Sequence, residues 1–544
     1  MNTRIIECVP NFSEGRDREK IKAITDTICA VKGISLLDVD PGEATNRTVV
    51  TFVGAPEDVA EAAFQGIKKA AEIIDMRGHH GAHPRMGATD VCPLIPVAGV
   101  TLEECAELAR KLAERVADEL GVPTYCYEAA AFTPERKNLA VCRAGEYEAL
   151  PEKMGGEKGP DFGNRPFDEG VARTGATTIG ARDFLIAVNY KGRPMREGGK
   201  VTGKQVKDEN GNTVMIPGTL KGTKAIGWFI DEYGIAQVSM NITDIATTPL
   251  HVAFDEVCRA ADARGVRVTG TEIVGLVPKR TLIDAGKYFL RKQHRSVGIP
   301  DSEIIRIAIK SMGLDQLGEF DPKQKVIEYL IEDKNAKRLV DLTARGFAEE
   351  TASESPAPGG GSISAYMGAL AAALGTMVAN LSAHKAAYDD RWEEFSNAAE
   401  CGQDLMERLL HLVDEDTEAF NRIMDVFGMP KKTDAEKAAR AKAMEEATLY
   451  ATEVPLRTMQ TAFETFSLVR NMAENGNPAS VTDAGVGALA ARAAVRGAFL
   501  NVKINAAGLK DTAKAQELIA KGADIEAEAA RLEQEILAIV ESKI

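Results

Sequence analysis

The fold of this chain is decided around one short charged stretch, Glu332-Asp333-Lys334-Asn335-Ala336-Lys337-Arg338. Before it, segments typical of strands alternate with amphipathic helical segments, which predicts an α/β fold. After it, the sequence consists mainly of the helix formers Ala, Leu, Glu, Lys and Met, and turn signals at 356–361, 430–433 and 475–478 separate about five long helices. We therefore predict α/β followed by all-α, the second part being a bundle in which short turns make neighbouring helices antiparallel.

The α/β region divides into two runs of strands and helices. In the first run we predict strands at 5–9, 35–39, 48–53 and 89–93 and helices at 16–31, 56–74 and 102–120. A stretch rich in Gly, Pro and Arg at 158–180 interrupts the pattern, and a second run follows, with strands at 184–190, 234–242 and 267–274 and a helix at 249–264. The predicted organisation is two α/β subdomains at 1–181 and 182–330, a linker at 331–338 and a helical domain at 339–544.

Composition restricts the functions that this chain can have. Of its 544 residues, 66 are Lys or Arg and 81 are Asp or Glu, which gives a net charge of −15. Because no basic block with interleaved aromatic residues is present, we expect no nucleic-acid partner. The 8 cysteines lack C-x-x-C spacing, and the first residues lack the apolar core of a signal peptide. We therefore expect a protein of the reducing cytoplasm.

One uncharged stretch, at 363–383, is long enough to cross a bilayer. It consists mostly of Ala, Gly and Ser, with no basic anchor before it and no tryptophan belt. A small-residue helix buried in a tight bundle fits this composition better than a membrane span, so we expect no membrane insertion.

Three of the seven histidines lie in Met76-Arg77-Gly78-His79-His80-Gly81-Ala82-His83-Pro84-Arg85-Met86-Gly87-Ala88-Thr89-Asp90-Val91-Cys92-Pro93. The glycines and the proline break any helix, so the segment is a loop that leads into a strand. A metal site with His79 and His83 on one helical face is therefore disfavoured. The residues alone leave two interpretations open, a polar surface loop and a rigid loop that carries a histidine for acid–base catalysis.

A second candidate site lies in the helix predicted at 403–427, where one acid falls on the apolar face. At 100° per residue, one arc contains Leu405, Leu409, Val413, Asp416, Phe420 and Ile423. The same geometry places Asp414 and Glu418 on the opposite, solvated side and Glu415 on the flank. A carboxylate that faces the core is either satisfied by a neighbouring helix or tuned as a general acid or base.

Three glycines, Gly359, Gly360 and Gly361, precede the small-residue helix. They allow a ligand to approach the backbone at a helix N-terminus, which favours anions. A flexible joint between helices explains them equally well.

Several motifs resemble a known family. In the α/β region they are Val9-Pro10-Asn11-Phe12-Ser13-Glu14-Gly15, Leu37-Asp38-Val39-Asp40, Thr45-Asn46-Arg47-Thr48-Val49, His83-Pro84-Arg85-Met86-Gly87-Ala88 and Arg143-Ala144-Gly145-Glu146-Tyr147-Glu148-Ala149-Leu150, which resemble glutamate formimidoyltransferase. In the helical region Ala357-Pro358-Gly359-Gly360-Gly361-Ser362 and 412–420 resemble formimidoyltetrahydrofolate cyclodeaminase. The chain as a whole thus resembles the bifunctional formimidoyltransferase-cyclodeaminases.

This resemblance implies two steps of histidine breakdown. The first half would transfer the formimino group of N-formimidoyl-L-glutamate to tetrahydrofolate, a polyglutamylated co-substrate. The second half would cyclise 5-formimidoyltetrahydrofolate to 5,10-methenyltetrahydrofolate with release of ammonia, and neither step requires a metal. The implied fold is two ferredoxin-like α/β subdomains plus a helical bundle, assembled into a ring-shaped homo-oligomer.

The resemblance also assigns site residues. It makes His83 and Asp416 catalytic, gives no role to His79 or His80, and places a site carboxylate on Asp40. The implied folate-binding segment is 163–175, with candidates Gly163, Asn164, Arg165, Pro166, Phe167, Arg173, Thr174 and Gly175. Arg182 is a further candidate because, with Arg165 and Arg173, it supplies the local positive charge that the net charge withholds. Gly359, Gly360 and Gly361 are candidates for the folate because they open the backbone at a helix N-terminus. Within 163–175 the middle of the segment differs from the family pattern, so its individual contacts stay open.

Two alternatives remain at this point. The helical half could serve only to hold folate or to form the oligomer, which retention of Asp416 argues against. The whole chain could instead be a non-catalytic folate-binding scaffold, which the intact His83 loop argues against.

Overall fold

The computed structural model describes residues 4–43, 45–81, 84–192, 203–207, 213–230, 235–331 and 337–544. His83 and residues 332–336 of the charged stretch lie outside the described residues. Contacts divide the chain into two units, of which the first is Met1–Ala285 with Met312–Glu332 and the second is Gly286–Ser311 with Asp333–Ile544.

The first unit is a mixed α/β structure. Its strands are β1 (Ile5–Cys8), β2 (Asn11–Phe12), β3 (Ser35–Gly42), β4 (Arg47–Gly54), β5 (Thr89–Ala98), β6 (Thr124–Glu128), β7 (Thr177–Ala181), β8 (Ile186–Gly192), β9 (Gly203–Lys207), β10 (Thr213–Pro217), β11 (Thr223–Ile230), β12 (Ile235–Ile242) and β13 (Val268–Val274). The helices as far as the second unit are α1 (Arg18–Cys29), α2 (Pro56–Ile73), α3 (Leu102–Leu120), α4 (Leu139–Cys142), α5 (Leu150–Lys153), α6 (Glu169–Thr174) and α7 (Leu250–Asp262).

Two sheets organise these elements. In the first sheet β3 pairs with β4, β4 pairs with both β1 and β2, these pair with β5, and β7 lies between β5 and β6. The pairs β5–β7 and β6–β7 are parallel, and the other pairs are antiparallel. The second sheet has the order β11-β12-β8-β13 and is antiparallel throughout, and β9 and β10 form a separate hairpin.

One face of the first sheet forms the core with α1, α2 and α3. Ile6, Phe52 and Leu94 point into this core and are fully buried. Helix α3 is delimited locally, since Thr101 and Glu104 form a capping box at its start and Gly121 ends it in the left-handed conformation. The opposite face of the sheet is the more polar one, and it carries the residues discussed below.

The predicted change from α/β to helical structure is confirmed. Predicted strands at 5–9, 35–39, 48–53 and 89–93 correspond to β1, β3, β4 and β5. Strands β2, β6, β7, β9, β10 and β11 were not predicted, and β7 lies inside the stretch treated as an interruption. Strand β7, Thr-Thr-Ile-Gly-Ala, has no apolar alternation because it is buried on both sides. Its Gly180 is required by packing, because a Cβ there would lie 2.5 Å from the Tyr127 carbonyl oxygen.

The second unit is almost entirely helical. The helices from α8 onward are α8 (Lys279–Lys292), α9 (Asp301–Met312), α10 (Pro322–Lys325), α11 (Ile327–Ile331), α12 (Ala344–Thr351), α13 (Gly360–Ala383), α14 (Trp392–Phe427), α15 (Asp434–Asn475), α16 (Val481–Ala506) and α17 (Thr512–Glu541). Of these, α10 and α11 belong to the first unit, and the boundary between the units falls inside α8.

The small residues of α13 permit close packing against other helices. A Cβ at Gly375 would lie 2.8 Å from the Leu468 side chain, and one at Gly368 would lie 3.0 Å from Leu409. Within the described part of the chain, α13 is the one helix that is long and apolar enough to cross a membrane, and 61% of its most apolar window is buried inside the protein. Such burial is typical of a core helix in a bundle.

Residues 296–298 pack against α13 and α14 within the second unit. The Val297 N–H donates to Ser396 Oγ at 3.0 Å, and Asn380 Nδ2 donates to the Gly298 carbonyl oxygen at 2.7 Å. A Cβ at Gly298 would lie 2.2 Å from the backbone of Ala399. The segment before the charged stretch is therefore part of the helical unit's packing.

The substitution Gly298→Ala tests this packing. Because the added methyl group meets backbone, we expect it to destabilise the helical unit by about 1–3 kcal/mol. The thermal unfolding midpoint, followed by circular dichroism at a helical wavelength, should fall by about 2–4 °C per kcal/mol. Gly318→Ala is the control, because a Cβ at Gly318 meets no atom within 4 Å. Equal midpoints for both variants would contradict the docking of this segment.

Candidate active sites

The first candidate site lies on the polar face of the first sheet. Residues that pair across neighbouring strands share a face, and faces alternate along each strand. Asp40 pairs with Val49, and Asp38 pairs with Thr51. Glu7 pairs with Val53 and Ile95. The predicted carboxylate Asp40 is exposed on the edge strand β3 and lies on the face away from α1–α3.

The loop that carries the histidines is fixed on its N-terminal side by Asn46. Asn46 Nδ2 donates to the His80 carbonyl oxygen at 3.0 Å, and Asn46 Oδ1 accepts from the Gly15 N–H at 3.0 Å. The Asn46 backbone has a φ of 49°, a conformation that asparagine tolerates better than most residues. At Gly81 a Cβ would lie 2.1 Å from the Thr45 carbonyl oxygen. The loop is thus pressed against the segment before β4.

His79 belongs to this anchor. Its Nε2 lies 2.9 Å from the Asn46 carbonyl oxygen, and its side chain is buried. Burial lowers the pKa of His79, because the charged imidazolium is poorly solvated there. A neutral, buried histidine bonded to backbone serves structure, whereas His80 is exposed.

The C-terminal side of the loop is fixed by the fully buried Asp90. Its carboxylate accepts from Arg47 Nη1 at 2.5 Å, from Arg143 Nη2, and from the Met86 N–H at 3.0 Å. Arg47 Nη1 also donates to the Pro84 carbonyl oxygen at 3.4 Å. A carboxylate that joins two guanidinium groups is among the stronger polar anchors in a protein interior. The residues that directly follow His83 are therefore held in one geometry.

The predicted folate-binding segment meets this loop at one end. The Ala88 N–H donates to the Thr174 carbonyl oxygen at 2.8 Å, and the Ala176 N–H donates to the Met86 carbonyl oxygen at 3.1 Å. Gly175 has a φ of 67°, and a Cβ there would lie 2.3 Å from the Met86 carbonyl oxygen. Thr174 and Gly175 therefore lie against Met86 and Ala88, the residues that lead from the histidine loop into β5.

The other predicted residues of this segment bond elsewhere. Asn164 accepts from the Gly155 N–H at 2.9 Å. Arg165 donates to Asp168 and to the Gly121 carbonyl oxygen, at 2.9 Å each. These bonds fix the local loop and involve no residue of the histidine loop. Gly163 has a φ of 68°, Pro166 is exposed, Phe167 packs beside Met86 and its neighbours, and Arg173 donates to the Glu72 carbonyl oxygen at 2.5 Å.

Arg182 follows β7 and lies apart from 163–175. Its N–H donates to the Leu94 carbonyl oxygen at 3.2 Å, and its guanidinium donates to the Asp183 carbonyl oxygen at 2.9 Å. Ala181 points into the core with the helices, so alternation along the strand directs Arg182 to the polar face. The charge of Arg182 lowers the pKa of Glu7, which burial raises. This position adds a cation to the face that carries Asp40.

The second candidate site lies where α14 passes the N-terminus of α13. Ser362 Oγ donates to Asp416 Oδ2 at 3.1 Å. Burial raises the pKa of Asp416, and hydrogen bonds from the Ser362 hydroxyl and backbone oppose this shift. Asp416 thus combines a raised pKa with a fixed orientation, which suits proton transfer.

Of the three glycines at the start of α13, Gly361 lies directly against this carboxyl group. A Cβ at Gly361 would lie 2.1 Å from Asp416 Oδ1. A Cβ at Gly360 would lie 3.3 Å from its nearest atom, Asn501 Nδ2. A Cβ at Gly359 would have no atom nearer than 3.9 Å. Gly361 is therefore required for Asp416 to reach the helix N-terminus.

We expect Gly361→Ala to displace the Asp416 carboxyl group and to lower ammonia release at least about tenfold. The helix itself should persist, because alanine is the better helix former. Gly360→Ala is the matched comparison and should have the smaller effect. The measurement is the rate of ammonia release together with helical circular dichroism. Full activity of Gly361→Ala would show that the contact between Gly361 and Asp416 is dispensable.

Three assignments on α14 were wrong. Phe420, expected in the apolar arc, is 38% exposed. Asp414, expected in solvent, is half-buried and accepts from the Leu339 N–H at 2.6 Å. Glu415, expected on the flank, is buried and accepts from Tyr450 and Arg457, at 2.6 Å each. Helical periodicity gives directions around one axis, but only the packed neighbours decide which directions are covered. Glu418 is exposed, as predicted.

The sequence analysis also missed Asn46, Asp90, Arg143 and Ser362 as site residues. Asn46, Arg143 and Ser362 lie inside the family motifs quoted above, and Asp90 lies in the quoted histidine stretch, so the segments were found but the anchoring roles were not. Among the described residues, no group of three or more His, Cys, Asp or Glu side chains could hold a metal ion.

The α/β unit contains the histidine loop anchored by Asn46 and Asp90, and the helical unit contains Asp416 oriented by Ser362. The chain is therefore a two-domain protein with one candidate active site in each unit. Residues 5–182 match the Formiminotransferase domain, N-terminal subdomain, 187–332 match the Formiminotransferase domain, and 343–524 match Formiminotransferase-cyclodeaminase. The chain belongs to the formimidoyltransferase-cyclodeaminase family.

Individual relatives cover the whole chain or one half of it. The chain is 41% identical to the mouse (Mus musculus) formimidoyltransferase-cyclodeaminase over 94% of each sequence. Its first half is 43% identical to the glutamate formimidoyltransferase of Thermoplasma acidophilum, covering 53% of this chain and 92% of that protein. Its helical half is 40% identical to the methenyltetrahydrofolate cyclohydrolase of Methylorubrum extorquens, covering 37% of this chain and 97% of that protein.

Proposed function

We propose that this protein is a bifunctional folate enzyme of histidine degradation. It transfers the formimino group of N-formimidoyl-L-glutamate to tetrahydrofolate, and it then cyclises 5-formimidoyltetrahydrofolate to 5,10-methenyltetrahydrofolate with release of ammonia. The observation that carries this proposal is the pair of constellations in separate units, each inside a segment that matches the corresponding family domain.

In the transfer step, His83 acts as general acid and base. The tetrahedral intermediate carries both the incoming and the leaving nitrogen, and one imidazole can take a proton from the first and give it to the second. Arg47 and Asp90 anchor Pro84 and Met86, which follow His83 in the described part of the chain. Asp40 stabilises the charged imidazole, and residues of 163–175 with Arg182 bind the folate.

In the cyclisation step, Asp416 moves the proton that ammonia needs in order to leave. N10 of the folate attacks the formimino carbon, the N10 proton is removed, and the departing nitrogen is protonated. A carboxyl group with a raised pKa holds and returns a proton more readily than an ordinary aspartate. Gly361 leaves room for the Asp416 carboxyl group, and Gly359, with no atom nearer than 3.9 Å to a Cβ, leaves room for the substrate at the helix N-terminus. Neither step needs a metal ion.

The finer architecture belongs to the same proposal. Two ferredoxin-like subdomains, at 1–181 and 182–330, precede a linker at 331–338 and an antiparallel bundle at 339–544. The chains assemble into a ring-shaped homo-oligomer that binds polyglutamylated folate in the cytoplasm. Exposed apolar residues on α13 and α16, Leu370, Leu381, Leu489, Leu500 and Ile504, support assembly, and the free cysteines support a reducing compartment.

The deciding experiment supplies tetrahydrofolate and N-formimidoyl-L-glutamate and follows the absorbance of methenyl-folate together with ammonia. The proposal requires both products in equal amounts. Transfer without ammonia would favour the alternative, a transferase whose helical half only holds folate or forms the oligomer. The cyclohydrolase relative motivates a further arm, in which 5,10-methenyltetrahydrofolate is supplied and its hydrolysis is measured.

A further inference from the structure

Glu7 is an acid buried at the centre of the polar face of the first sheet. Its side chain is 3% exposed, and its strand neighbours on that face are Val53 and Ile95, which are also buried. Within the described ranges, no hydrogen bond and no ion pair ends on the Glu7 carboxyl group. Arg182 and Glu328 are the charged groups that influence it. Burial among apolar neighbours disfavours the charged form of such a carboxyl group unless hydrogen-bond donors bind it.

The position of Glu7 connects it with the proposed transferase site. Alternation along the strands places it on the face that carries Asp40 and the Arg47–Asn11 pair. Arg182, a candidate for folate binding because of its positive charge, acts on it electrostatically. Glu7 lies four residues before Asn11, a span of about 13 Å along a strand. Asn11 is joined to the end of the histidine loop by Arg47, which donates to Asn11 Oδ1 at 2.9 Å and to the Pro84 carbonyl oxygen at 3.4 Å.

We propose that Glu7 binds the planar N–C–N donor edge of a reactant through two parallel N–H···O hydrogen bonds. A carboxylate fits such an edge as it fits guanidinium, with one oxygen for each N–H. This inference rests on the proposed function, and both of its reactants carry an edge of this chemistry. One is the formimino group of N-formimidoyl-L-glutamate, and the other is the 2-amino-pyrimidinone edge of the folate pterin.

The electrostatics around Glu7 agree with a ligand of this kind. Burial raises the pKa of Glu7 to about 7, against the lowering effect of Arg182 and with the raising effect of Glu328. The carboxyl group therefore gains a proton at mildly acidic pH and loses it when a donor pair arrives. Between pH 6 and pH 8 the affinity for the ligand should rise by about tenfold, since only the ionised form accepts both hydrogen bonds.

The test compares the full-length Glu7→Gln variant with the wild-type chain by calorimetry. The probes are 5-formyltetrahydrofolate, N-formimidoyl-L-glutamate, and a folate analogue in which a methyl group replaces the 2-amino group. The amide keeps the shape but loses the charge and one acceptor. We therefore expect Kd for either 5-formyltetrahydrofolate or N-formimidoyl-L-glutamate to rise about 10- to 100-fold, and the pH dependence of that Kd to disappear. Glu57→Gln, an exposed residue of α2, is the control and should change neither Kd.

The outcomes separate the two sources of the donor edge. If the pterin binds Glu7, the 2-methyl analogue binds wild type and variant equally weakly, and the affinity for N-formimidoyl-L-glutamate is unchanged. If the formimino group binds Glu7, only N-formimidoyl-L-glutamate weakens. Unchanged Kd values for both probes, or equal weakening accompanied by a lower melting temperature, would overturn the proposal. If the wild-type chain bound neither probe, the proposed function would fail first, whereas loss confined to Glu7→Gln leaves it standing.

Discussion

In the variant His83→Ala, formimino transfer is lost, and the rate falls by about two to four decades, as expected for removal of a general acid–base group. Asn46 and Asp90 anchor the backbone on both sides of this residue, through His80 and through Pro84 and Met86. His80, Pro84 and Met86 should therefore keep their positions when the imidazole is removed. Cyclisation of supplied 5-formimidoyltetrahydrofolate should continue at the wild-type rate, because that step belongs to the helical unit.

The neighbouring histidine is the natural control. His80 is exposed and presents its backbone carbonyl rather than its side chain to Asn46, so His80→Ala should retain transfer. Both rates are measured on one preparation, as 5-formimidoyltetrahydrofolate formed and as ammonia released. Full transfer activity in His83→Ala would remove His83 from the mechanism. Equal loss of both activities would instead indicate a folding defect.

Asp416→Asn stops ammonia release and leaves transfer intact, so that 5-formimidoyltetrahydrofolate accumulates. The asparagine side chain keeps the shape and can still accept a hydrogen bond from Ser362, but it cannot carry a proton. Loss of general acid–base catalysis at this position should again lower the rate by about two to four decades. The effect should appear in kcat rather than in KM, because the contact geometry is preserved.

Stability distinguishes this result from unfolding. Burial raises the pKa of Asp416 in the folded chain above its unfolded value. The protonated group therefore contributes stability at low pH, and this contribution is lost as the pH rises through the folded pKa. Asparagine removes that dependence, so Asp416→Asn should melt no lower than the wild type at neutral pH. A lower melting temperature would assign the lost activity to structure.

Glu418→Gln is the matched control, because Glu418 lies two residues further along α14 and is exposed. It should change neither activity. If Glu418→Gln were inactive and Asp416→Asn active, both the orientation of α14 and the assignment of the second site would be wrong. Ammonia release from supplied 5-formimidoyltetrahydrofolate is the measurement for both variants.

Local sequence was sufficient for much of the fold. Amphipathic periodicity located α2 and α3, because one face of each helix must meet the sheet. Glycine and proline predicted that the histidines lie on a loop, and the 100° rotation per residue placed Asp416 towards the interior and Glu418 towards solvent. These features depend on residues within a few positions of one another.

Features that depend on distant parts of the chain could not be predicted in this way. Asp90 is anchored by Arg47 and Arg143, which lie 43 and 53 residues away in sequence. Glu415 became buried because Tyr450 and Arg457 of α15 cover it. Likewise, β7 was missed because its apolar environment comes from neighbouring strands rather than from its own pattern.

The sequence by itself therefore determined the type and order of most elements, the loop that carries the histidines, and the inward direction of Asp416, because backbone propensity and side-chain periodicity act locally. Only the tertiary structure decided that Gly175 meets Met86, that Glu7 is buried without a partner on the polar face, and that residues 286–311 pack with the helical unit. Burial and pairing are properties of two surfaces in contact, and each segment of the sequence encodes only one of the two surfaces.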